Sequence, residues 1–414
     1  MKRFWALFLP SVLMVAACGG SQAATTTNKS PIKIGYIVPL TGVYAGAGKD
    51  EENGWNLGIK DFGDKVAGRP VQTIFVDSGG NPDQALADAR QLVQLQNIDM
   101  LEGPTLANED AAVAPYIGPL GIPTDDVALC AAPQLAAYRK YKTAFASSGT
   151  CDGDGILAAQ WAYKTMGYRH VTTVGMDYAF GWDMVGAFAV EFKSLGGTID
   201  KAIWPPLSAA DFSPYVSQIP ASTQAVFVLA AGTAASRFLN AYSQYGLSGK
   251  IPLIGTNWLT DQSVLPSETP SAALGVDSAA HYCDGINTPQ NQKFVSEYQQ
   301  QYGAIPGYYS ELGYNKAQRA IVALKTLNGV TSNKKKLFKT LIGTKIVAPR
   351  GPISISPVTD SPIENEYICK VESVNGVLRN VPVKTYPNFQ PWGFLTESQW
   401  EAAFNTDTVA RPNL

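Results

Sequence analysis

From residue 31 onward the chain alternates short β-branched runs with longer amphipathic ones, and this alternation leaves few architectures open. Ile32 to Val38 reads as a buried strand, and Val71 to Asp77 and Ile98 to Leu101 as the next two. Between them, Glu51 to Phe62 and the stretch opened by Pro82 keep apolar residues near a 3.6 period (Leu86, Ala89, Leu92, Val93, Leu95), the helical spacing. Asn108 to Tyr116 reads as a helix and Ile122 to Thr124 as a strand. The same rhythm restarts after Gly149, with strands at Val171–Gly175, Thr198–Ile203, Ala225–Leu229 and Leu253–Gly255. Two long helices follow, Asn291–Tyr302 and Tyr309–Leu327, then short strands near Ile353 and Tyr367. Such βαβα order predicts an α/β fold of two doubly wound parallel-sheet units with helices on both faces. The Pro-rich end, 386–414, reads as an irregular C-terminal tail.

The N-terminus is of another kind. Lys2 and Arg3 precede an apolar run from Phe4 to Ala17, broken by Pro10 and Ser11. It is shorter than the roughly 20 residues of a membrane-spanning helix but suits the core of a secretory signal. The run ends Val15-Ala16-Ala17-Cys18-Gly19, which resembles the bacterial lipobox. That resemblance implies a signal peptide at 1–17, lipidation of Cys18 and an exported chain. The chain is then expected to be anchored to the outer face of the cytoplasmic membrane or periplasmic. The Gly-, Ser-, Ala- and Thr-rich stretch, 18–30, then reads as a flexible tether.

Charge excludes several functions. Thirty-two Lys and Arg against 34 Asp and Glu give −2, so no basic excess marks a nucleic-acid partner. Only His170 and His281 are available to a His-based metal site, and no metal or cofactor is expected. With Cys18 assigned to the lipid, Cys130, Cys151, Cys283 and Cys369 remain, an even set that suggests disulfides in an exported chain. Of three connectivities, Cys130–Cys151 with Cys283–Cys369 is favoured, the first pair because its loop is short; free buried thiols are the alternative.

Motifs of catalysis fail on their chemistry. The segment from Gly42 to Asp50 lacks the first glycine spacing of a P-loop and carries Asp50 where a hydroxyl should hold magnesium. Gly153-Asp154-Gly155-Ile156-Leu157-Ala158 spells a dinucleotide fingerprint but follows Ser147-Ser148-Gly149-Thr150, not an apolar strand. No serine occupies a nucleophile elbow, and neither histidine lies in a zinc-protease motif. Strand-end acids such as Asp77 read as turn formers. An exported α/β hydrolase would need a nucleophile and a base that the chain does not offer.

An ordered series of segments does carry a resemblance. Pro31-Ile32-Lys33-Ile34-Gly35-Tyr36-Ile37-Val38-Pro39-Leu40-Thr41-Gly42, then Val76-Asp77-Ser78-Gly79-Gly80-Asn81-Pro82, Glu102-Gly103-Pro104-Thr105, Asp177-Tyr178-Ala179-Phe180-Gly181, Asp211-Phe212-Ser213 and Pro252-Leu253-Ile254-Gly255 together resemble the leucine/isoleucine/valine-type periplasmic binding proteins. These are type I solute receptors of ABC importers. The resemblance implies two lobes joined by three crossovers, with lobe 1 at 31–147 plus 285–350 and lobe 2 at 148–284 plus 351–385. A small molecule would bind between them and pass to ABC permease subunits, without chemistry. A sensor subunit of the same fold is the alternative.

Carried over position by position, the family's ligand contacts fall at Ala107 and Asn108, at Ala128 and Cys130 with Asp126 nearby, and at Phe180, Ala231, Asn257, Trp258 and Tyr309. Several depart from an amino-acid receptor. The expected hydroxyl is Ala107, and the acid that would face a ligand ammonium is Asn257, which cannot balance that charge. Asp50 or Asp126 is left as a possible ammonium partner. Phe180, Trp182, Trp258, Tyr308 and Tyr309 can instead wall an apolar pocket. The ligand classes implied, in order, are an apolar amino acid, an aromatic or aliphatic carboxylic acid, and an amide.

Overall fold

The computed structural model describes residues 1–2, 29–126, 140–149, 151–404 and 411–414. Among the described residues no helix is long and apolar enough to cross a membrane. The first sheet is built from β1 (Ile32–Val38), β2 (Lys65–Val66), β3 (Arg69–Asp77), β4 (Met100–Glu102), β5 (Thr124–Asp126) and β6 (Ala144–Ala146), in the spatial order β2-β3-β1-β4-β5-β6. β1 lies parallel to both β3 and β4, with Ile34 opposite Thr73 on one side and Met100 on the other. Its period-two pattern sends Ile32, Ile34, Tyr36 and Val38 into one core and Ile37 into the other. Burial on both faces explains why the strand reads as a continuous apolar run.

The second sheet contains β7 (His170–Gly175), β8 (Thr198–Ile203), β9 (Ala225–Leu229), β10 (Leu253–Thr256), β11 (Asp277–Ala280), β12 (Ile346–Ala348), β13 (Gly351–Ile355), β14 (Pro362–Val374) and β15 (Val377–Phe389). Its order is β12-β13-β14-β11-β10-β9-β7-β8, with β15 paired along β14. β7 to β11 are parallel, and β14 adds antiparallel to β11.

The helices that matter here are α1 (Ala45–Phe62), α2 (Pro82–Gln91), α3 (Ala107–Ile117), α4 (Cys151–Gln160), α5 (Ala179–Ser194), α6 (Thr233–Gln244), α7 (Pro289–Tyr302) and α8 (Tyr308–Thr326). After β11 the chain leaves the second sheet, and α8 packs along α1 in the first lobe. The contact is close because it runs over glycine. A Cβ on Gly54 would stand 1.8 Å from the Ser310 carbonyl oxygen, and one on Gly313 would stand 2.1 Å from that of Glu51. The chain then returns through β12 and β13 to β14. It thus passes between the lobes three times, at residues 147–149, 281–288 and 344–361, the last by way of β12 and β13.

Several motifs find their physical cause in packing. Gly155 lies against α5, where a Cβ would meet the Met184 carbonyl at 2.6 Å, so the dinucleotide-like glycine serves a helix crossing. Gly48 sits as tightly against the Pro39 carbonyl, at 2.1 Å. Asp77 Oδ1 accepts from the backbone N–H groups of Leu40, Thr41 and Gly79 at 2.8, 3.1 and 2.9 Å, binding the first strand's exit to the next turn.

The C-terminal end corrects the expectation of an irregular tail at 386–414. β15 runs on to Phe389, and a helix at Glu397–Phe404 buries Trp400, whose indole N–H donates to Asp152. The hairpin turn between β14 and β15 holds Asn375 and Gly376, both at positive φ, the Asn-Gly pair that type I′ turns favour. Cys283 and Cys369 form a disulfide with Cα atoms 6.1 Å apart, as expected. Cys18 and Cys130 lie outside the described residues, as does the side chain of Cys151.

Two outcomes are expected in chemical denaturation. Gly54→Ala should lower stability by about 3 kcal/mol, because a backbone carbonyl occupies the space of the new methyl. Replacing Cys283 and Cys369 by Ser should cost about 4–5 kcal/mol, the loop-closure entropy of an 86-residue separation.

Candidate functional site

In open parallel sheets, ligands bind beyond the carboxyl ends of strands where the strand order reverses. The first sheet reverses at β1, between β3 and β4, and the second at β7, between β8 and β9. Four loops therefore converge: 39–44 after β1, 103–106 after β4, 176–178 after β7 and 230–232 after β9. In this structure they meet across a shut cleft. The Tyr44 and Tyr178 hydroxyls are 2.9 Å apart, and Thr233 N–H points to the Val43 carbonyl at 3.5 Å. The Tyr308 N–H at the start of α8 donates to Asp261 Oδ2 at 2.6 Å, so an acid from the β10 loop caps a helix of the opposite lobe.

Buried polar contacts hold the first-lobe wall. Glu51 of α1 accepts from the Tyr36 hydroxyl at 2.6 Å and the Thr105 hydroxyl at 2.9 Å, with the Lys316 ammonium 3.5 Å away. This fixes the turn after Gly103 from which α3 starts. Ala107 and Asn108 are the first two residues of α3, and Asn108 Oδ1 is buried without a partner among the described residues. Asp126, the last residue of β5, is buried. Ala128 and Cys130 lie outside the described residues.

The aromatic wall crosses the lobes. Phe180, in the first turn of α5, meets Trp258 edge to face at 4.9 Å. Trp258 meets Tyr308 at 5.4 Å, and Tyr308 meets Tyr309 at 5.1 Å. All four rings are buried. Ala231 is buried in the same apolar cluster. Trp182 departs from the expected wall: its indole N–H donates to Asp177 Oδ1 at 2.8 Å, and the ring stays half-buried outside this set.

Asn257 precedes Trp258 in the loop after β10. Its Oδ1 accepts the backbone N–H of His281 at 3.0 Å, which orients the amide. Nδ2 is left as a buried donor with no partner among the described residues. The position therefore offers a hydrogen-bond donor where an amino-acid receptor needs an acceptor for an ammonium. Asp50, in α1, accepts from the Tyr298 hydroxyl at 3.0 Å rather than joining the ring set.

Sequence reasoning missed the Tyr44–Tyr178 pair and the carboxylates around the His281 ring. Tyr178 stands within the Asp177–Gly181 segment, so its proximity to Phe180 was a usable signal.

The comparisons with known proteins agree with this geometry. Residues 31–376 match the family model described as periplasmic binding protein. The chain belongs to the periplasmic binding protein family. A "Leu/Ile/Val-binding protein homolog 6" from Brucella abortus is 29% identical over 386 residues, covering 91% of this chain and 97% of that one. Among solved structures, a solute-binding protein of an ABC transporter from Rhodopseudomonas palustris BisB5, in complex with 3,4-dihydroxybenzoic acid, is 30% identical. It superposes with a TM-score of 0.83 over 88% of this chain and 99% of its own. A second, from Rhodopseudomonas palustris HaA2 in complex with p-hydroxybenzoic acid, is 28% identical with a TM-score of 0.81, covering 89% and 100%. This member of the periplasmic binding protein family is a solute-binding protein of the ABC-transporter type, not an enzyme.

The shut cleft carries a pH signature. Burial, and then the Asp261 carboxylate, push Asp50 from 3.8 up to about 7. The folded protein holds this proton where the unfolded chain has lost it. Its contribution is thus full below pH 3.8 and lost as pH rises to about 7. Melting temperature should fall across that window in the native protein, and Asp50→Asn should flatten part of the slope.

Proposed function

We propose that this protein captures an aromatic carboxylic acid of the hydroxybenzoate class between its lobes and delivers it to an ABC permease, tethered to the membrane by a lipid on Cys18. One observation carries the ligand class: Asn257 presents a buried amide donor, unpartnered among the described residues, beside a wall of Phe180, Trp258, Tyr308 and Tyr309. A benzoate ring suits edge-to-face aromatic contact, and its ring substituents can accept or donate hydrogen bonds without an ammonium to neutralise. The carboxylate is assigned to the N-terminal turn of α3, at Ala107 and Asn108, where helix N–H groups favour an anion. Relatives bound to 3,4-dihydroxybenzoic and p-hydroxybenzoic acid support the same class. The Val15–Cys18 lipobox resemblance supports the anchor.

In thermal-shift titration, 4-hydroxybenzoate at 100 times its dissociation constant should stabilise the protein by about 2.7 kcal/mol, and leucine should not. Phe180→Ala or Trp258→Ala should weaken 4-hydroxybenzoate about tenfold, or about 1.4 kcal/mol by calorimetry. Asn257→Leu should weaken it at least as much, by removing the amide donor that faces the ring substituent. Stabilisation by leucine alone would reverse the ligand assignment. For the anchor, Cys18→Ser should move the protein from the membrane fraction to the soluble exported fraction.

A further inference from the structure

The three interlobe passages converge on one side chain. His281 begins the second passage, directly after β11, and is buried. Its Nδ1 lies 2.6 Å from Glu366 Oε1 and 3.4 Å from Glu364 Oε1, both on β14 where the third passage ends. Its Nε2 lies 3.1 Å from Asp154 Oδ2 on α4, where the first passage ends. The backbone of the first passage packs against the ring: a Cβ on Gly149 would stand 1.9 Å from its Cε1. Carboxylates stand within ion-pair distance of both ring nitrogens, Glu366 in a hydrogen bond to Nδ1 and Asp154 near Nε2 without hydrogen-bond geometry, and an imidazolium, a donor at both nitrogens, is the form that suits them.

The ionic chain continues into the other lobe. Arg350, in the third passage, donates through Nη1 to Glu364 Oε2 at 3.1 Å and through Nε to Glu311 Oε2, on α8, at 2.7 Å. The opposite flank of the imidazole meets the proposed ligand wall. Trp258 lies edge-on at 5.8 Å and Tyr308 at 5.7 Å, and the His281 backbone N–H orients Asn257. Burial alone would depress the imidazole's proton affinity, but Asp154 and Glu366 outweigh it and hold His281 well above its ordinary value.

We propose that His281 is a positioning residue that couples hinge to cleft: its charge gathers the three passages through Asp154, Glu364 and Glu366, while its ring and backbone set Trp258, Tyr308 and Asn257. This rests on the solute-receptor reading for its effect on ligand affinity, but not for its effect on the hinge. The same carboxylates could approach a cation, since ligand atoms of Asp154, His281 and Glu366 lie within 4.8 Å of one another. Arg350 on Glu364 and carboxylates on both ring nitrogens favour the protonated pin.

The test is hydrogen exchange on the full chain without ligand, native against His281→Gln. Exchange should rise at least tenfold in residues 281–288 and 344–361 while β1 and β9 stay protected; a merely structural defect would raise both. Binding of 4-hydroxybenzoate should weaken about tenfold, and adding Glu366→Gln should recover part of both effects. If His281→Gln does not fold, Glu366→Gln alone should raise exchange in the same passages by a smaller factor. Unchanged exchange in whichever variant folds overturns the proposal, as does an equivalent of zinc in the protein as purified. Failure of the native protein to bind any benzoate would instead overturn the ligand assignment and leave the exchange result to judge the pin.

Discussion

The crossing of α1 and α8 governs the topology. Where two backbones approach within a glycine's width, dispersion contacts are dense and no side chain can intrude. Gly54 and Gly313 create that approach from both helices. The consequence is that the segment after β11 belongs to the first lobe although the preceding strand belongs to the second. Each lobe is therefore assembled from separated pieces of chain, and the junction consists of three neighbouring passages instead of one linker. A cleft between the two lobes follows from that arrangement.

Scarcity of charge takes on meaning within the folded chain. Charged residues are few, yet Glu51, Glu102, Lys316, Glu311, Arg350, Glu364 and Asp154 are all buried. Burying ions is costly unless partners compensate, and these are arranged in chains that link separate elements of the fold. Lys316 and Glu51 lie beneath the turn that launches α3; Arg350 and Glu311 join the third passage to α8. Such contacts add register to a core whose apolar packing is less directional.

The alternation of strands and helices was legible because period-two and period-3.6 patterns are local. The Asp77 turn, the Gly-Pro turn and the Cys283–Cys369 pair were legible for similar reasons: each is carried by residue type at a short spacing or by a small set of choices. Asn257 and Phe180 could be placed from the ordered segments around them. The carboxylates around the His281 ring could not, since Asp154, Glu364 and Glu366 come from distant parts of the chain and the glycine pattern around Asp154 spelled a different motif. Trp400 escaped because one aromatic in a Pro-rich stretch carries no periodic signal.

The disulfide alters the mechanics of the junction. Cys283 ties the start of the second passage to the interior of β14, and the Asn380 N–H and Arg379 hold Asp284 from β15. Gly285 N–H adds a bond to the Asn380 carbonyl. Ile286 N–H bonds the Cys283 carbonyl and Thr288 caps α7 through Asn291 N–H, so this passage is bonded along most of its length. The second lobe thus carries a braced stub of chain beyond β11, fastened to β14 and β15 before α7 begins.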